Sequence, residues 1–453
     1  MDGRQLAIEK LRGAGMPDVA VETFARQYDR LAAGEQGTIA EGDIEPVGAL
    51  PDAEELPDDG DAPLDQLVVI KLNGGLGTSM GMDRAKSLLT VKDGLSFLDL
   101  ISRQVLGFRE RTGTQVPLVL MNSFATRDDS LAALGAYPEI DAGLPLDFVQ
   151  NRVPKLAAET LAPVEHPADP ALEWVPPGHG DLYPALAGSG MLDRLLERGL
   201  RYAFVSNSDN LGAVIEPRIL GWMAREGHTF VMEATDRTAS DRKGGHLARR
   251  RSDGGLILRE IAQAADEDLA AFQDVARHRY FNTNSLWIDL HALREVLDAK
   301  GVLELPMIVN RKTVDPRDPG STPVIQLETA MGAAIAAFPG AAAVRVDRRR
   351  YAPVKTTADL LTLRSDAYVI TPEQAVTLAP EREGVPPLVE LEPEHYRLVD
   401  DFERRFPQGA PSLVRCRRLT VDGDIVFGRD VRIEGEVTLA GDRRITDGTL
   451  LSG

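Results

Sequence analysis

The chain has 453 residues, 43% hydrophobic and 27% charged, the balance of a globular protein large enough for two or three cores. Its formal net charge of -19 argues against general binding to nucleic acid or an anionic membrane, so an anionic ligand would need a local basic site. The single cysteine, Cys416, excludes an internal disulfide and points to a reducing compartment.

The opening residues Met1-Asp2-Gly3-Arg4-Gln5 carry no apolar signal core, and the weakly polar run 331–344 is interrupted by Pro339. A cytoplasmic protein without a membrane span is therefore expected. Residues 4–33 place Leu6, Ile8 and Leu11, then Val19, Val21, Phe24, Tyr28 and Leu31, at helical spacing around Gly13-Ala14-Gly15. Two short helices are predicted there. Residues 40–63 carry Glu41, Asp43, Glu45, Asp52, Glu54, Glu55, Asp58, Asp59 and Asp61 with no Lys or Arg, which reads as a linker or a surface strap.

From about 66 to 385 strand-like and helix-like segments alternate. Strands are predicted at 67–71, 117–121, 146–149, 202–205, 229–233, 256–262, 285–289 and 342–346. Helices are predicted at 96–111, 126–134, 189–197, 216–225, 290–297 and 327–337. Such alternation predicts an α/β fold with a mixed, mostly parallel sheet, helices on both faces, and ligands at the carboxyl ends of the strands. Beyond 386, Leu419-Thr-Val-Asp-Gly-Asp, Ile425-Val-Phe-Gly-Arg-Asp, Val431-Arg-Ile-Glu-Gly-Glu and Val437-Thr-Leu-Ala-Gly-Asp repeat with a period of six. That predicts a small β-helix of little more than one coil, too short to bury its own core and so packed on the main domain or on another subunit. The expected division is 1–65 (helices and acidic linker), 66–385 (catalytic domain) and 386–453 (β-helix).

The stretch with most chemistry follows the apolar run Leu67-Val68-Val69-Ile70. Gly74, Gly75, Gly77 and Gly81 leave a loop whose backbone N–H groups can approach phosphate oxygens, and Lys86 adds a charge at its far end. It is neither a P-loop, because Ala85 precedes the lysine, nor a dinucleotide fingerprint, because Gly75, Gly77 and Gly81 are spaced G-x-G-x-x-x-G. Four further stretches add to it. His179 stands between glycines in Trp174-Val-Pro-Pro-Gly-His-Gly-Asp181. Asp209 ends a strand in Phe204-Val-Ser-Asn-Ser-Asp-Asn210, where a carboxylate suits Mg²⁺ or caps a turn. Phe281-Asn-Thr-Asn284 offers amides for hydroxyls but reads more readily as a turn. Lys355 lies in Tyr351-Ala-Pro-Val-Lys-Thr-Thr357, with Lys243-Gly244-Gly245 a weaker counterpart; the arginines at 348–350 read as a solvated face. Glycines for anions, two lysines, a metal-type Asp and amides together suit phosphoryl or nucleotidyl transfer, where positioning and charge neutralisation dominate.

These stretches resemble the UTP–glucose-1-phosphate uridylyltransferase (UDP-glucose pyrophosphorylase) family of the eukaryotic-like kind. The matching segments are KLNGGLGTSMG at 71–81, VPLVLMNSF at 116–124, FVQNRVPK at 148–155, WVPPGHGD at 174–181, SNSDNLGA at 206–213, FNTNSLW at 281–287, PVKTTADLL at 353–361 and RSDAY at 364–368. The related UDP-N-acetylhexosamine enzymes carry GTRLG where this chain has Gly77-Thr-Ser-Met-Gly81, which favours glucose, with a broader UDP-sugar pyrophosphorylase as the alternative. The resemblance implies a Rossmann-like nucleotidyltransferase domain and a C-terminal left-handed β-helix. It implies UTP on Leu72, Asn73, Gly74 and Gly75, uracil read by Gln150 and Gly178, and UTP phosphates held by Lys86. It implies Mg²⁺ on Asp209, glucose 1-phosphate among His179, Asn207, Gly245, Asn282 and Asn284, and Lys355 bridging the two substrates' phosphates. It also implies homo-oligomers through the C-terminal domain, against which the shortness of that domain speaks here. One departure stands out: where the family has Gly-Pro before the loop lysine, this chain has Arg84-Ala85.

Overall fold

The computed structural model describes residues 2–58, 60–238 and 241–453. At its centre the apolar run becomes the strand Leu67–Asn73, whose first four side chains are almost wholly inaccessible. Side chains alternate across a strand. Here Leu67 and Val69 enter one hydrophobic cluster while Val68 and Ile70 enter another. The run is continuous because both faces of the sheet are covered. Phe97–Thr112 and Pro217–Glu226 cover the first face; Leu182–Gly188, Met191–Glu197 and Leu290–Lys300 cover the second.

Leu118–Asn122 and Tyr202–Asn207 flank this strand in parallel, and Asp147–Val149 continues the parallel half. The sheet is mixed, as expected, but it is not mostly parallel beyond that half. Tyr280–Asp289 runs antiparallel to Tyr202–Asn207, to Phe230–Asp236 and to His246–Arg250, so the ten-stranded sheet is mixed. Parallel pairing needs a long crossover, and His246–Arg250 returns to Leu256–Arg259 through a short turn instead. The parallel strands' carboxyl ends, at Asn73, Asn122, Val149 and Asn207, still open on one rim.

Two sequence readings are corrected, and for a third, the acidic segment, the strap holds rather than the linker. The helix expected at 327–337 is the end of the strand Pro323–Thr329 followed by a 3₁₀ segment, Met331–Ala336. Pairing of Pro323–Thr329 with Met307–Thr313 takes 327–329 into a sheet, and the alanine-rich remainder forms only the 3₁₀ segment. Phe281-Asn-Thr-Asn284 is no turn; it lies inside the ten-residue strand Tyr280–Asp289. The acidic segment is no loose linker. Ile44–Pro46 adds an edge strand to His246–Arg250, and Glu41, Asp52 and Glu54 pair with Arg259, Arg345 and Arg349.

The two N-terminal helices, Gly3–Gly13 and Asp18–Ala32, form as expected and pack on Val153, Leu156, Met307, Ile325 and Leu327. The C-terminal repeat forms parallel strands. Leu419 pairs with Val437 and Ile425 with Arg443, each eighteen residues apart, which is three hexads per coil. Its core side chains, Leu419, Ile425, Val431 and Val437 among them, are continuous with the cluster under the central sheet, as its small size requires. Among the described residues no helix is long and apolar enough to cross a membrane.

Candidate active site

The glycine loop leaves the rim after Asn73 and folds back on itself: Lys86 N–H donates to the Gly75 carbonyl at 3.0 Å. Gly77 and Gly81 take positive φ angles of 67° and 76°, which L side chains resist. Gly74 has a different reason. A Cβ there would come within 2.6 Å of the Gln150 side-chain oxygen, so the loop and Gln150 face each other directly. Gln150 is fixed in turn by its N–H bond to the Asn122 carbonyl at 2.8 Å. Asn73 is tied into the strand ends. Its buried side chain donates to Asn122 and Ser130 and accepts from Ser208, tying the strand ends together.

At the loop's end Lys86 Nζ lies 2.7 Å from Asp209 Oδ2. Asp209 sits just beyond Tyr202–Asn207, and the Ser208 N–H donates to the Leu72 carbonyl, so both strand ends hold the same corner. The turn is also laced to the segment carrying Lys355. Asn210 Nδ2 donates to the Arg350 carbonyl at 3.0 Å, Asn210 Oδ1 accepts from Ala352 N–H at 3.0 Å, and Val354 N–H donates to the Asp209 carbonyl at 3.2 Å. Behind this lacing Arg350 makes a bidentate, buried pair with Glu233, at 2.6 and 2.8 Å. That corrects the reading of the arginines at 348–350 as a solvated face: Arg350 is core, and Arg348 pairs with Asp241.

Lys355 Nζ donates to the Tyr351 hydroxyl at 3.2 Å. Burial works against its ammonium, but Tyr351, Asp209 and Asp359 outweigh burial, and its pKa is raised. The lysine is fully charged at neutral pH. Asp209 suits a hard cation: one carboxylate oxygen holds the Lys86 ammonium, and no bond to the other is found among the described residues.

The opposite wall is built from backbone approaches. Asn282 N–H donates to the Gly245 carbonyl, and a Cβ on Gly245 would fall 2.6 Å from Glu260 Oε1. The register of Tyr280–Asp289 against Phe230–Asp236 shifts between Glu233 and Ala234, and Asn284 takes φ 58°. This bulge turns the two amides onto each other: Asn282 Nδ2 donates to Asn284 Oδ1 at 2.8 Å. Gly332 packs on Asn282, and its neighbour Met331 donates its N–H to His179 Nδ1 at 2.9 Å. Burial pushes the His179 pKa down to about 4. A neutral ring that accepts at Nδ1 carries its proton on Nε2, so His179 is a neutral donor. Gly178, at φ 79°, and Gly180 both press on Thr329, which leaves no room for a side chain at either position.

These contacts outline a candidate site, with Gln150, Gly74, Lys86, Asp209 and the Lys355 segment on one side and Gly245, Asn282, Asn284, His179 and Gly178 on the other; Asn207 and Leu72 lie at the strand ends. One further carboxylate belongs to it. Glu260 touches Gly245 and feels the charge of Lys355, while burial raises its pKa. In the sequence Glu260 is a single acid after an apolar strand, with nothing to single it out.

The chain matches the UDPGP family model, described as UTP--glucose-1-phosphate uridylyltransferase, over residues 21–434. It belongs to that family. It is 41% identical over 399 residues to UTP--glucose-1-phosphate uridylyltransferase of Solanum tuberosum, covering 88% of this chain and 81% of that protein. The corresponding Saccharomyces cerevisiae protein is 41% identical over 377 residues, covering 83% and 74% of the two chains. Among solved structures, a Leishmania major UDP-glucose pyrophosphorylase mutant in complex with UDP-glucose superposes with a TM-score of 0.94 at 44% identity, covering 100% of this chain and 98% of that one. Membership in the uridylyltransferase family accords with the arrangement of loop, lysines and carboxylate described above.

Proposed function

We propose that this chain forms UDP-glucose and pyrophosphate from UTP and glucose 1-phosphate. A phosphate oxygen of glucose 1-phosphate attacks the α-phosphorus of UTP in line, the new P–O bond forms, and the bond to the β-phosphate oxygen breaks as pyrophosphate leaves. The attacking phosphate is ionised near neutral pH, so no general base is required. The observation that carries this reading is the corner where Lys86, Asp209 and the Lys355 segment meet. Two anions must be brought together there, and fixed cations offset their repulsion.

In this reading Gly74, Gly75 and Leu72 seat the uridine, with Gln150 and Gly178 at the uracil edge. Lys86 steadies the UTP phosphates, and Lys355 spans the sugar phosphate and the α-phosphate. His179 donates from Nε2, while Asn207, Gly245, Asn282 and Asn284 line the sugar phosphate. Glu260 offers acceptor oxygens to the sugar's hydroxyls. Asp209 is the residue that would hold Mg²⁺, which when bound supplies further charge neutralisation.

Residues 66–385 act as the catalytic domain in this reading, 1–65 as its helical and strapped N-terminal part, and 386–453 as a short left-handed β-helix. In this reading the protein is cytoplasmic, and a single cysteine, with no second to close an internal disulfide, is consistent with a reducing compartment.

The test is pyrophosphate release from UTP with a panel of sugar 1-phosphates, with and without Mg²⁺. Turnover with glucose 1-phosphate alone and only with the metal is expected. Comparable turnover with galactose or N-acetylglucosamine 1-phosphate would instead identify a broader UDP-sugar pyrophosphorylase, and no turnover at all a binding protein.

A further inference from the structure

Behind the central sheet lies a cavity of about 330 Å³ that none of the substrate-binding roles uses. Its walls are apolar: Val69 and Phe204 from the sheet, Ile101, Val105 and Phe108 from Phe97–Thr112, and Ile215 beyond the Asp209 turn. Its floor is Lys71, whose residue is only 2% exposed. Two of the three Lys71 N–H donors are spent, on Ser206 Oγ at 2.7 Å and the Ala213 carbonyl at 2.8 Å, and the ammonium lies over the Phe204 ring, 5.6 Å from its centroid. Arg111 and Glu373 stand at the mouth, where Arg111 Nη1 bonds the Glu373 carbonyl at 3.2 Å.

An ammonium set in an apolar pocket is costly unless an anion meets it. A cavity with a buried cation at one end, apolar walls and a guanidinium at the entrance complements one chemical class. We propose that this cavity is a second ligand site, taking a small monocarboxylic acid with an apolar body whose carboxylate meets the third N–H of Lys71. Burial pushes the Lys71 pKa down to about 7, aided by the Arg350 cation and opposed by Glu233.

Position gives the site a consequence. Gln104 Nε2, on the cavity wall, donates to the Leu211 carbonyl at 3.1 Å. Ala213, Val214 and Ile215 also line the cavity, so an occupant presses on the same turn that carries Asp209 on its other side. An acid bound here acts on turnover without competing with UTP.

The probe is 3-phenylpropanoate, with 3-phenylpropan-1-ol as the uncharged control, titrated into the full-length protein by calorimetry. Saturable one-to-one binding of the acid is expected, at least tenfold tighter than the alcohol. At pH 8, where Lys71 is largely neutral, binding takes up protons, seen as a heat that depends on the buffer's ionisation enthalpy. Lys71→Met should remove the preference for the acid, and Val105→Trp, which fills the cavity, should remove binding. Absence of saturable binding, equal affinity for acid and alcohol, or unchanged binding in Val105→Trp would overturn the proposal. Should either variant fail to fold, a crystal of the unaltered chain grown with the acid decides: density in contact with Lys71 supports the site, and density only elsewhere rejects it.

Discussion

At the scale of single residues the two lysines differ in how they are held. Lys86 is tethered at 2.7 Å to Asp209, while Lys355 is steadied by the Tyr351 hydroxyl at 3.2 Å. A charge that meets the developing transition state matters more for turnover than for ground-state binding. Lys355→Ala should therefore lower kcat roughly 100-fold or more while the KM for UTP moves only a few-fold. Tyr351→Phe keeps the ammonium and loses only its anchor, so its kcat should fall by less than that of Lys355→Ala. Steady-state kinetics on both variants checks this ordering, and near-full activity in Lys355→Ala would remove the assigned role. Ala85 gives a second residue-scale expectation. Its φ of -52° lies within the range a proline ring imposes, so the alanine keeps the conformation that the family's proline would fix. That the lysines, Asp209 and the glycines were legible in the sequence follows from their residue types, which few other roles require together. Glu260 was not legible, because its significance arises only from Gly245 being pressed against it.

At the scale of elements, the site depends on two segments distant in sequence being laced into one. Asn210 uses both ends of its amide for this, donating to the Arg350 carbonyl and accepting from Ala352 N–H. It touches no reacting group in the proposed mechanism and acts as a positioning residue. Asn210→Ala should lower kcat about tenfold to a hundredfold, since small misplacements cost that much. Asn210→Asp keeps the acceptor but loses the donor and should fall between the two. An Asn210→Ala enzyme with unchanged kcat and a merely lower Tm would reduce Asn210 to a structural part. Gly178 and Gly180 act differently, through room rather than hydrogen bonds. Gly180→Ala would drive a methyl into Thr329 and should destabilise the protein by about 1–3 kcal/mol, seen as a lowered Tm. Pattern alone predicted the strand at the glycine loop because it is short, apolar and covered on both faces. The same kind of pattern misled at 327–337, where the partner strand Met307–Thr313, remote in sequence, decided the outcome. The turn expected at 281–284 failed for a related reason: a bulge lets polar residues sit inside a strand.

At the scale of the whole molecule, the acidic segment is a fastening, and its chemistry makes the fold sensitive to acid. Glu41 accepts from Arg259 at 2.6 Å and from His278 at 2.9 Å, and His278 stacks on His246 with ring centroids 3.9 Å apart. Sequence composition showed the run of acids but not their arginine partners, which come from strands and turns up to about 300 residues away. The buried His246 is held neutral: burial, with the neighbouring His278 and Arg237, lowers its pKa from the ordinary 6.5 to about 2. An unfolded chain takes up that proton below pH 6.5 and the folded one does not. The stability from His246 is therefore complete above pH 6.5 and is lost as the pH falls toward its folded value, by about 2 kcal/mol at pH 5. His246 Nε2 has no hydrogen-bond partner among the described residues, and the ring also packs on Phe272. Phenylalanine at this position preserves the stacking and removes both the titration and the unpaired nitrogen. His246→Phe should match the unaltered protein or exceed it in Tm at pH 8, and its Tm should fall less steeply between pH 7 and pH 5. Thermal unfolding of the two proteins across that range measures the difference in slope, and parallel curves would show that the buried His246 does not set the acid limit of the fold.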